Sequence, residues 1–343
     1  MSSTYQPLKK AGESTLFSPL YLTLRQKKQG KQKKKRVIVI AGPTGVGKTK
    51  LSLAIGQILG GEIISADSMQ VYKGMDIGTA KATKQERKKV HHHLIDVCEI
   101  SENYNVVSYY NAAYKVLKTI LLEDKVPIVC GGSGFYLHAL LCGPPQGPPS
   151  EPRIRRKLEA LAEKIGVESL FERLQLLDPK YAATISEKDK HKVVRALEII
   201  SLTGGPVSNL PKPDKIEQGD YDFRMWFVHM PKDVLYAQVE KRCDEMLKEG
   251  FIDEVKALEK KGLRNNYTAS QAIGYRQCLE YLKTDQSEKE KATFILEFKK
   301  ASRHYVKRQF TWFKKEPNFR WLDLHKLGFE RAVEYILQDY EQG

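Results

Sequence analysis

Apolar residues first gather into an unbroken block at Val37-Ile-Val-Ile40, after a long stretch dominated by polar and basic positions. A β-branched run of this length, followed by a Gly-rich turn, reads as a buried strand. Apolar residues then recur at helical spacing over 50–59, and Glu62-Ile-Ile-Ser-Ala-Asp67 reads as a second strand ending at an acid. Helical periodicity returns over 107–122, before Val126-Pro-Ile-Val-Cys130, a further buried strand that ends in Gly131-Gly132. Strands alternating with helices predict βαβ units and a parallel sheet with helices on both faces. Ligands of such sheets bind beyond the carboxyl ends of the strands.

The pattern changes at Gly143-Pro-Pro-Gln-Gly-Pro-Pro-Ser150, a stiff linker. Charged helical runs follow over 153–165, 167–177 and 190–202, the last stopping at Thr203-Gly-Gly-Pro206. A second polar link over 209–219 leads into Phe223-Arg-Met-Trp-Phe-Val-His229, again a strand. The expected organisation is therefore a basic tail over 1–36, a first part of an α/β core over 37–143, a mainly helical insertion over 144–221, and completion of the core over 222–343. No internal repeat and no coiled-coil seam is visible, and a monomer is expected.

Composition narrows the class of partner. No apolar run approaches the ~18–20 residues needed to span a bilayer, so no membrane segment is expected. Five scattered cysteines (Cys98, Cys130, Cys142, Cys243, Cys278) show no metal-ligand spacing and read as reduced thiols of a cytoplasmic protein. The net charge of +15 is unevenly placed. Residues 1–36 contribute +9, from ten basic residues against one Glu, and the eight basic residues of 299–320 against Glu316 contribute +7. Both segments suit contacts to an anionic polymer, or a solvated face. The tail has no apolar core of a secretory signal, and its shortage of acids also fits an organelle transit peptide or an RNA-touching arm.

The sharpest chemical signal is Gly42-Pro43-Thr44-Gly45-Val46-Gly47-Lys48-Thr49, a P-loop pattern between a predicted strand and a predicted helix. Its glycines let backbone N–H groups curl around phosphate oxygens at a helix N-terminus. Lys48 can reach a second phosphate, and the Thr49 hydroxyl can ligate Mg2+. An ordinary P-loop NTPase also presents an acid at the end of an apolar strand, but the strand 126–130 ends in Gly-Gly. Asp67 is the remaining acid at a strand end, able to hold magnesium through water or to take a proton from a nucleophile; the plainer alternative is a capping role. The run His91-His92-His93 invites a metal reading. Histidines in succession on a strand point to alternate faces, and no Cys or carboxylate cluster is apparent beside them, so no metal site is expected there.

Eight blocks taken in order resemble the transfer-RNA dimethylallyltransferases. They are Gly42–Thr49, Ile64-Ser-Ala-Asp-Ser-Met-Gln-Val-Tyr72, Gly74-Met-Asp-Ile-Gly-Thr-Ala-Lys81, His92-His-Leu-Ile-Asp96, Gly131-Gly-Ser-Gly-Phe-Tyr136, Arg195-Ala-Leu-Glu198, Gln271-Ala-Ile-Gly-Tyr-Arg-Gln277 and Lys307-Arg-Gln-Phe-Thr-Trp-Phe313. The resemblance implies a P-loop parallel-sheet core with an inserted helical domain that touches tRNA. It implies transfer of a dimethylallyl group from dimethylallyl diphosphate to N6 of adenosine 37, beside the anticodon, with Mg2+. The P-loop, with Gly45, Gly47, Lys48 and Thr49, would hold the diphosphate together with Arg242, and the Ser133 hydroxyl would touch the diphosphate or the tRNA base. Asp67 would be the base, and Ser68, Met69 and Gln70 would meet the target nucleotides. The tRNA anticodon stem-loop would be met by Lys192, Arg195, Gln271, Gly274, Tyr275, Arg276, Gln277, Lys307, Arg308, Gln309, Thr311 and Trp312. Departures from the family pattern are Ser133 for a common Thr, His191-Lys192 for paired arginines, and Gln238 for a frequent Arg.

Without the resemblance, the aromatics Tyr305, Phe310, Trp312 and Phe313 read more readily as core packing than as stacking platforms. Rival readings are a prenyltransferase acting on free AMP, a P-loop NTPase, and a non-catalytic RNA-binding protein. The Asp67-Ser-Met-Gln70 block, the insertion and the basic C-terminal segment favour a macromolecular acceptor.

Overall fold

The computed structural model describes residues 35–211 and 221–342. The expected tail, except its last two residues, and most of the polar link over 209–219 lie outside the described residues. Lys35 and Arg36 already belong to the first strand, and Arg36 donates to the Tyr340 carbonyl at 2.5 Å and faces Asp222 at 3.4 Å. β1 thus includes two residues before the apolar block, because a partnered cation can occupy a strand end.

In chain order the core contains β1 (Lys35–Ala41), α1 (Lys48–Leu59), β2 (Glu62–Ser65), α2 (Lys84–Lys89), β3 (His92–His93), α3 (Val106–Leu122), β4 (Pro127–Gly131) and α4 (Gly134–Cys142). The insertion carries α5 (Pro152–Ile165), α6 (Val167–Leu177), α7 (Pro179–Ala182) and α8 (Lys190–Thr203). The chain returns through β5 (Tyr221–His229), α9 (Lys232–Lys248), α10 (Phe251–Lys260), α11 (Tyr275–Tyr281), α12 (Glu288–Phe313), β6 (Arg320–Asp323), α13 (Leu324–Leu327) and α14 (Phe329–Gln342).

The strands form one six-stranded parallel sheet in the order β3-β2-β4-β1-β5-β6. Val37–Ala41 are fully buried because β1 lies between β4 (Ile38 opposite Ile128) and β5 (Ile40 opposite Trp226). From β1 the chain winds toward the β3 edge, then reverses through β4 and crosses to β5. Right-handed crossovers in opposite senses place α1 and α3 on opposite faces and open a crevice at the carboxyl ends of β1, β2 and β4.

Two further cores lie off the sheet. The insertion packs Ala162, Leu170, Leu174, Val193, Val194 and Leu197 together. Inside it Glu198 is fully buried and satisfied by the Ser150 hydroxyl (2.6 Å), the Glu151 N–H (2.7 Å) and Arg195 (2.7 Å). Arg195 also donates to the Pro148 carbonyl. Arg195, expected to face RNA, is partly exposed and also staples α8 to the Pro/Gly linker. The other core joins Val71, Tyr72 and Met75 to Phe251, Tyr275 and Phe298 from α10–α12. Here Glu254 accepts the Tyr275 hydroxyl (2.5 Å) and the N–H groups of Asp76, Ile77 and Gly78, which fixes the loop before α2. No helix among the described residues is long and apolar enough to cross a membrane.

Candidate active site

The P-loop closes between β1 and α1. Gly45 and Gly47 adopt φ of +81° and +95°, which non-glycine residues rarely tolerate, and the Val46 side chain anchors the loop from below. The first N–H groups of α1 are thereby turned outward without intrahelical partners, the arrangement that attracts anions. Lys48 folds back under the loop and donates to the Pro43 carbonyl at 2.8 Å. Burial lowers its ammonium to about 8, Cys130 and Asp67 oppose that shift, and Arg242 adds to it.

Asp67 leaves the end of β2 and faces the same space. Its Oδ1 accepts the N–H groups of Met69 (2.9 Å) and Gln70 (3.3 Å), so the capping role is real. Its Oδ2 makes no hydrogen bond among the described residues and remains available to a ligand. The turn is held from β4: Ser133 Oγ accepts the Ser68 N–H at 2.9 Å and lies 3.2 Å from the Ser68 hydroxyl. At Gly131 a Cβ would sit 2.1 Å from the Ala66 carbonyl oxygen, so β2 and β4 converge here through the lack of a side chain. On the cleft β4 presents Cys130 and no carboxylate.

Arg242 reaches in from α9, its guanidinium 3.4 Å from the Thr44 hydroxyl. Burial draws it below its ordinary value and the Asp67 carboxylate pulls it back. A polar cleft of about 460 Å³ runs along the P-loop, Ser65, Asp67, Gln70 and Arg242. An annex of about 100 Å³ adjoins it, lined by Met69, Val239, Met246, Ile273, Phe298 and Tyr305 among others. Thr44, Asp67, Thr79 and Arg242 stand in the walls of both. The Tyr305 phenol is pushed up by burial and by the Asp67 charge, while the nearby Ser133 opposes the rise.

The structure sorts the residues expected to meet RNA. Gln309 is buried; its Oε1 accepts the Thr44 N–H and its Nε2 donates to the Gly132 carbonyl, both at 3.0 Å. It bridges the P-loop to β4 and faces inward, so the expected RNA role is corrected. Tyr275 is fully buried against Glu254, Gly274 lies so close to Phe298 that a Cβ would be 2.7 Å away, and Gln277 accepts the Gly274 N–H at 2.8 Å. Tyr275 and Gly274 are structural as well, while Gln277 is half-buried and caps α11. The Gln70 amide is occupied by Ser65 and the Thr79 carbonyl, both at 3.2 Å.

Exposed positions remain at Lys192, Gln271, Arg276, Lys307, Arg308, Thr311 and Trp312. Within the basic segment, Lys299, Lys300, Arg303 and Arg320 are paired with Asp244, Glu297, Glu240 and Asp339. Lys307, Arg308, Lys314 and Lys315 form no ion pair among the described residues, and they are the part of the charge free to meet phosphates. Phe310 and Phe313 pack around Phe227, whose ring centroid lies 4.7 Å from that of Phe313, as the core reading of these aromatics expected. Trp312 is 39% exposed and meets Phe135 edge-on at 6.2 Å.

Gln309→Ala removes one buried and one part-buried hydrogen bond and leaves the Thr44 N–H and the Gly132 carbonyl without these partners. A loss of about 1–3 kcal/mol in unfolding free energy is expected, measurable by denaturant titration. An unchanged midpoint would show that the bridge is dispensable.

The histidines divide as a strand requires. His92 lines the cleft and its Nδ1 lies 2.8 Å from the Val90 carbonyl, while burial lowers its ring below the ordinary value. His91 and His93 share the other face, where Glu62 of β2 joins them. The expectation that no carboxylate accompanies them is thus corrected; the partner comes from a neighbouring strand, out of reach of local spacing.

Fold and cleft together define a P-loop α/β protein whose anion-attracting loop lies beside a carboxylate oxygen without a hydrogen bond among the described residues. Residues 70–316 match the family model described as IPP transferase. The chain is 58% identical over 308 residues to the tRNA dimethylallyltransferase of Protochlamydia amoebophila (strain UWE25), covering 90% of each. It is 45% identical over 312 residues to that of Chlamydia pneumoniae, again covering 90% of each. Among solved structures, the full-length tRNA isopentenylpyrophosphate transferase of Bacillus halodurans is 38% identical, with a TM-score of 0.65, over 90% of this chain and 98% of that one. A eukaryotic dimethylallyltransferase acting on tRNA is 30% identical, with a TM-score of 0.70, over 88% of this chain and 80% of that one. The chain belongs to the tRNA dimethylallyltransferase family.

Proposed function

We propose that this transferase moves the dimethylallyl group of dimethylallyl diphosphate to N6 of adenosine 37, beside the anticodon of tRNA, and releases diphosphate. The observation that carries the proposal is the position of Asp67, in the wall shared by the P-loop cleft and the apolar annex. The diphosphate binds the loop N–H groups, Lys48 and Arg242, and the five-carbon tail takes the apolar side chains of the annex. The C1–O bond breaks as the N6–C1 bond forms. The electron pair leaves with the diphosphate, where the cations and loop dipoles stabilise it. The N6 proton passes to Asp67 Oδ2, which compensates for the weak nucleophilicity of an exocyclic amine.

Magnesium fits the donor set. The Thr49 hydroxyl lines the cleft and is unengaged among the described residues, and hard oxygen donors with phosphate suit this ion. Held there, it would supply charge neutralisation on the leaving group.

The target adenosine must leave its stack to reach Asp67, at a cost of a few kcal/mol recovered from contacts around it. Lys307, Arg308, Thr311, Lys315 and Trp312 on and beyond α12 form the face that meets the anticodon stem-loop. Replacing Lys307 and Arg308 together by Ala is expected to weaken tRNA binding and to flatten its salt dependence by about 1–2 units of the log–log slope. Filter binding across salt concentrations measures this, and an unchanged slope would remove the face from the interface.

The deciding assay incubates the protein with unmodified tRNA, Mg2+ and labelled dimethylallyl diphosphate, with AMP as a parallel acceptor. Label in N6-isopentenyl-adenosine from tRNA is expected. Label on AMP alone would overturn the choice of acceptor, and hydrolysis of ATP without prenyl transfer would overturn the chemistry.

A further inference from the structure

We infer that Glu62, His91 and His93 form a binding site for a divalent transition metal ion, Zn2+ foremost, on the β3 edge of the sheet. One ligand atom from each residue lies within 4.8 Å of the other two. The arrangement follows from the strands: β2 and β3 pair in parallel with Ile64 opposite His93, so alternation puts Glu62, Ile64, His91 and His93 on one face. Ile63, Ser65 and His92 face the catalytic cleft on the other side. Two imidazoles and a carboxylate, with room for water, form a donor set that suits Zn2+ and its neighbours in the first transition row.

The carboxylate is already oriented. Lys125 holds Glu62 Oε1 at 2.6 Å, which leaves Oε2 directed at His93 Nε2, also at 2.6 Å. The His91 and His93 rings meet edge-on with centroids 4.3 Å apart. Donors at about 2.0–2.2 Å from a tetrahedral ion stand closer together than 4.8 Å. His91 is exposed, so rotation of its side chain can close that gap without moving a strand. Coordination would replace the hydrogen bond between Glu62 and His93. A Lys beside the carboxylate opposes cation binding, so affinity in the micromolar range is expected, below that of a closed four-ligand site.

The ion would tie a two-residue edge strand to β2. That strand carries His92 on its other face and leads into Leu94 and Asp96, both at positive φ, where Asp96 pairs with Lys81 and Arg87. The site is therefore a clamp on one wall of the cleft, separate from the magnesium position at Thr49.

The test is equilibrium titration of untagged full-length protein with Zn2+, in excess Mg2+ to occupy the P-loop cleft. One Zn2+ per chain is expected, with a melting temperature that rises with Zn2+ concentration. His91→Ala, at an exposed position that leaves the fold intact, is expected to weaken binding at least about tenfold, since loss even of outer-shell partners costs about 10–100-fold. Glu62→Gln is expected to act in the same direction. Co2+ substituted for Zn2+ gives visible d–d bands that His91→Ala lacks. Absence of stoichiometric binding, or binding and Co2+ bands unchanged in His91→Ala, would overturn the site.

Discussion

Asp67→Asn is expected to slow prenyl transfer by about 10²–10⁴-fold while leaving dimethylallyl diphosphate and tRNA binding close to wild type. The amide keeps an oxygen in the Oδ1 position, so the N–H groups of Met69 and Gln70 stay satisfied and the turn after β2 persists. What disappears is the unpaired oxygen able to take the N6 proton. Asp67→Ala removes the cap as well, and is expected to add a fall in stability of about 0.5–2 kcal/mol. Single-turnover rates on pre-bound substrates separate the two roles. If the Asn variant turned over at a near-native rate, Asp67 would be a cap and nothing more.

Lys48→Met is expected to lower kcat by about 10²–10³-fold, the usual cost of deleting one preorganised donor to a developing charge. Lys48→Arg restores little, because the ammonium is packed against the Pro43 carbonyl at 2.8 Å and a planar fork needs a wider seat. The same lysine sets a pH dependence. Its free-enzyme value of about 8 means it is mainly charged below that pH and mainly neutral above it. A bound diphosphate favours the charged form and raises the value, so binding above pH 8 takes up a proton. Affinity for dimethylallyl diphosphate is therefore expected to be flat from pH 7 to 8, then to weaken by up to about tenfold per pH unit. The phosphate's own last proton, with a value near 6, is lost well before this range. In Lys48→Met the profile is expected to stay flat, and a wild-type profile without a break near pH 8 would remove Lys48 from the phosphate contacts.

The parts of the site legible in the sequence are those built by neighbours along the chain. The P-loop is eight consecutive residues whose turn chemistry dictates its shape, and Asp67 ends an apolar strand. Gln309 is 265 positions from Thr44, and nothing local shows that its amide closes on the loop. A signal was nevertheless present. Gln309 falls on the stripe of α12 that buries Phe298, Ser302, Val306, Phe310 and Phe313, and a glutamine on such a stripe requires partners. The block around Tyr275 resembles one that serves the RNA surface, yet the burial of Tyr275 depends on Glu254 and Phe251 from another helix. The block Arg195-Ala-Leu-Glu198 carries a resemblance, but the ion pair of Arg195 with buried Glu198 depends on Ser150 and the linker, 47 to 48 positions away. Glu62 and the histidines show the converse case, where parallel pairing of two strands assembles a cluster that spacing cannot reveal.

One turn of helix α12 presents a basic side outward and a glutamine inward. Lys307, Arg308 and Thr311 stand outward, and Gln309 between them grips both Thr44 and Gly132. A helix is stiff over so short a distance, and Gln309 ties this one to the P-loop. With tRNA on the outer side and the diphosphate on the loop, as proposed, the two sites would be joined through Gln309. Reciprocity then governs the pair: whatever factor tRNA applies to the affinity for the diphosphate, the diphosphate must apply to the affinity for tRNA.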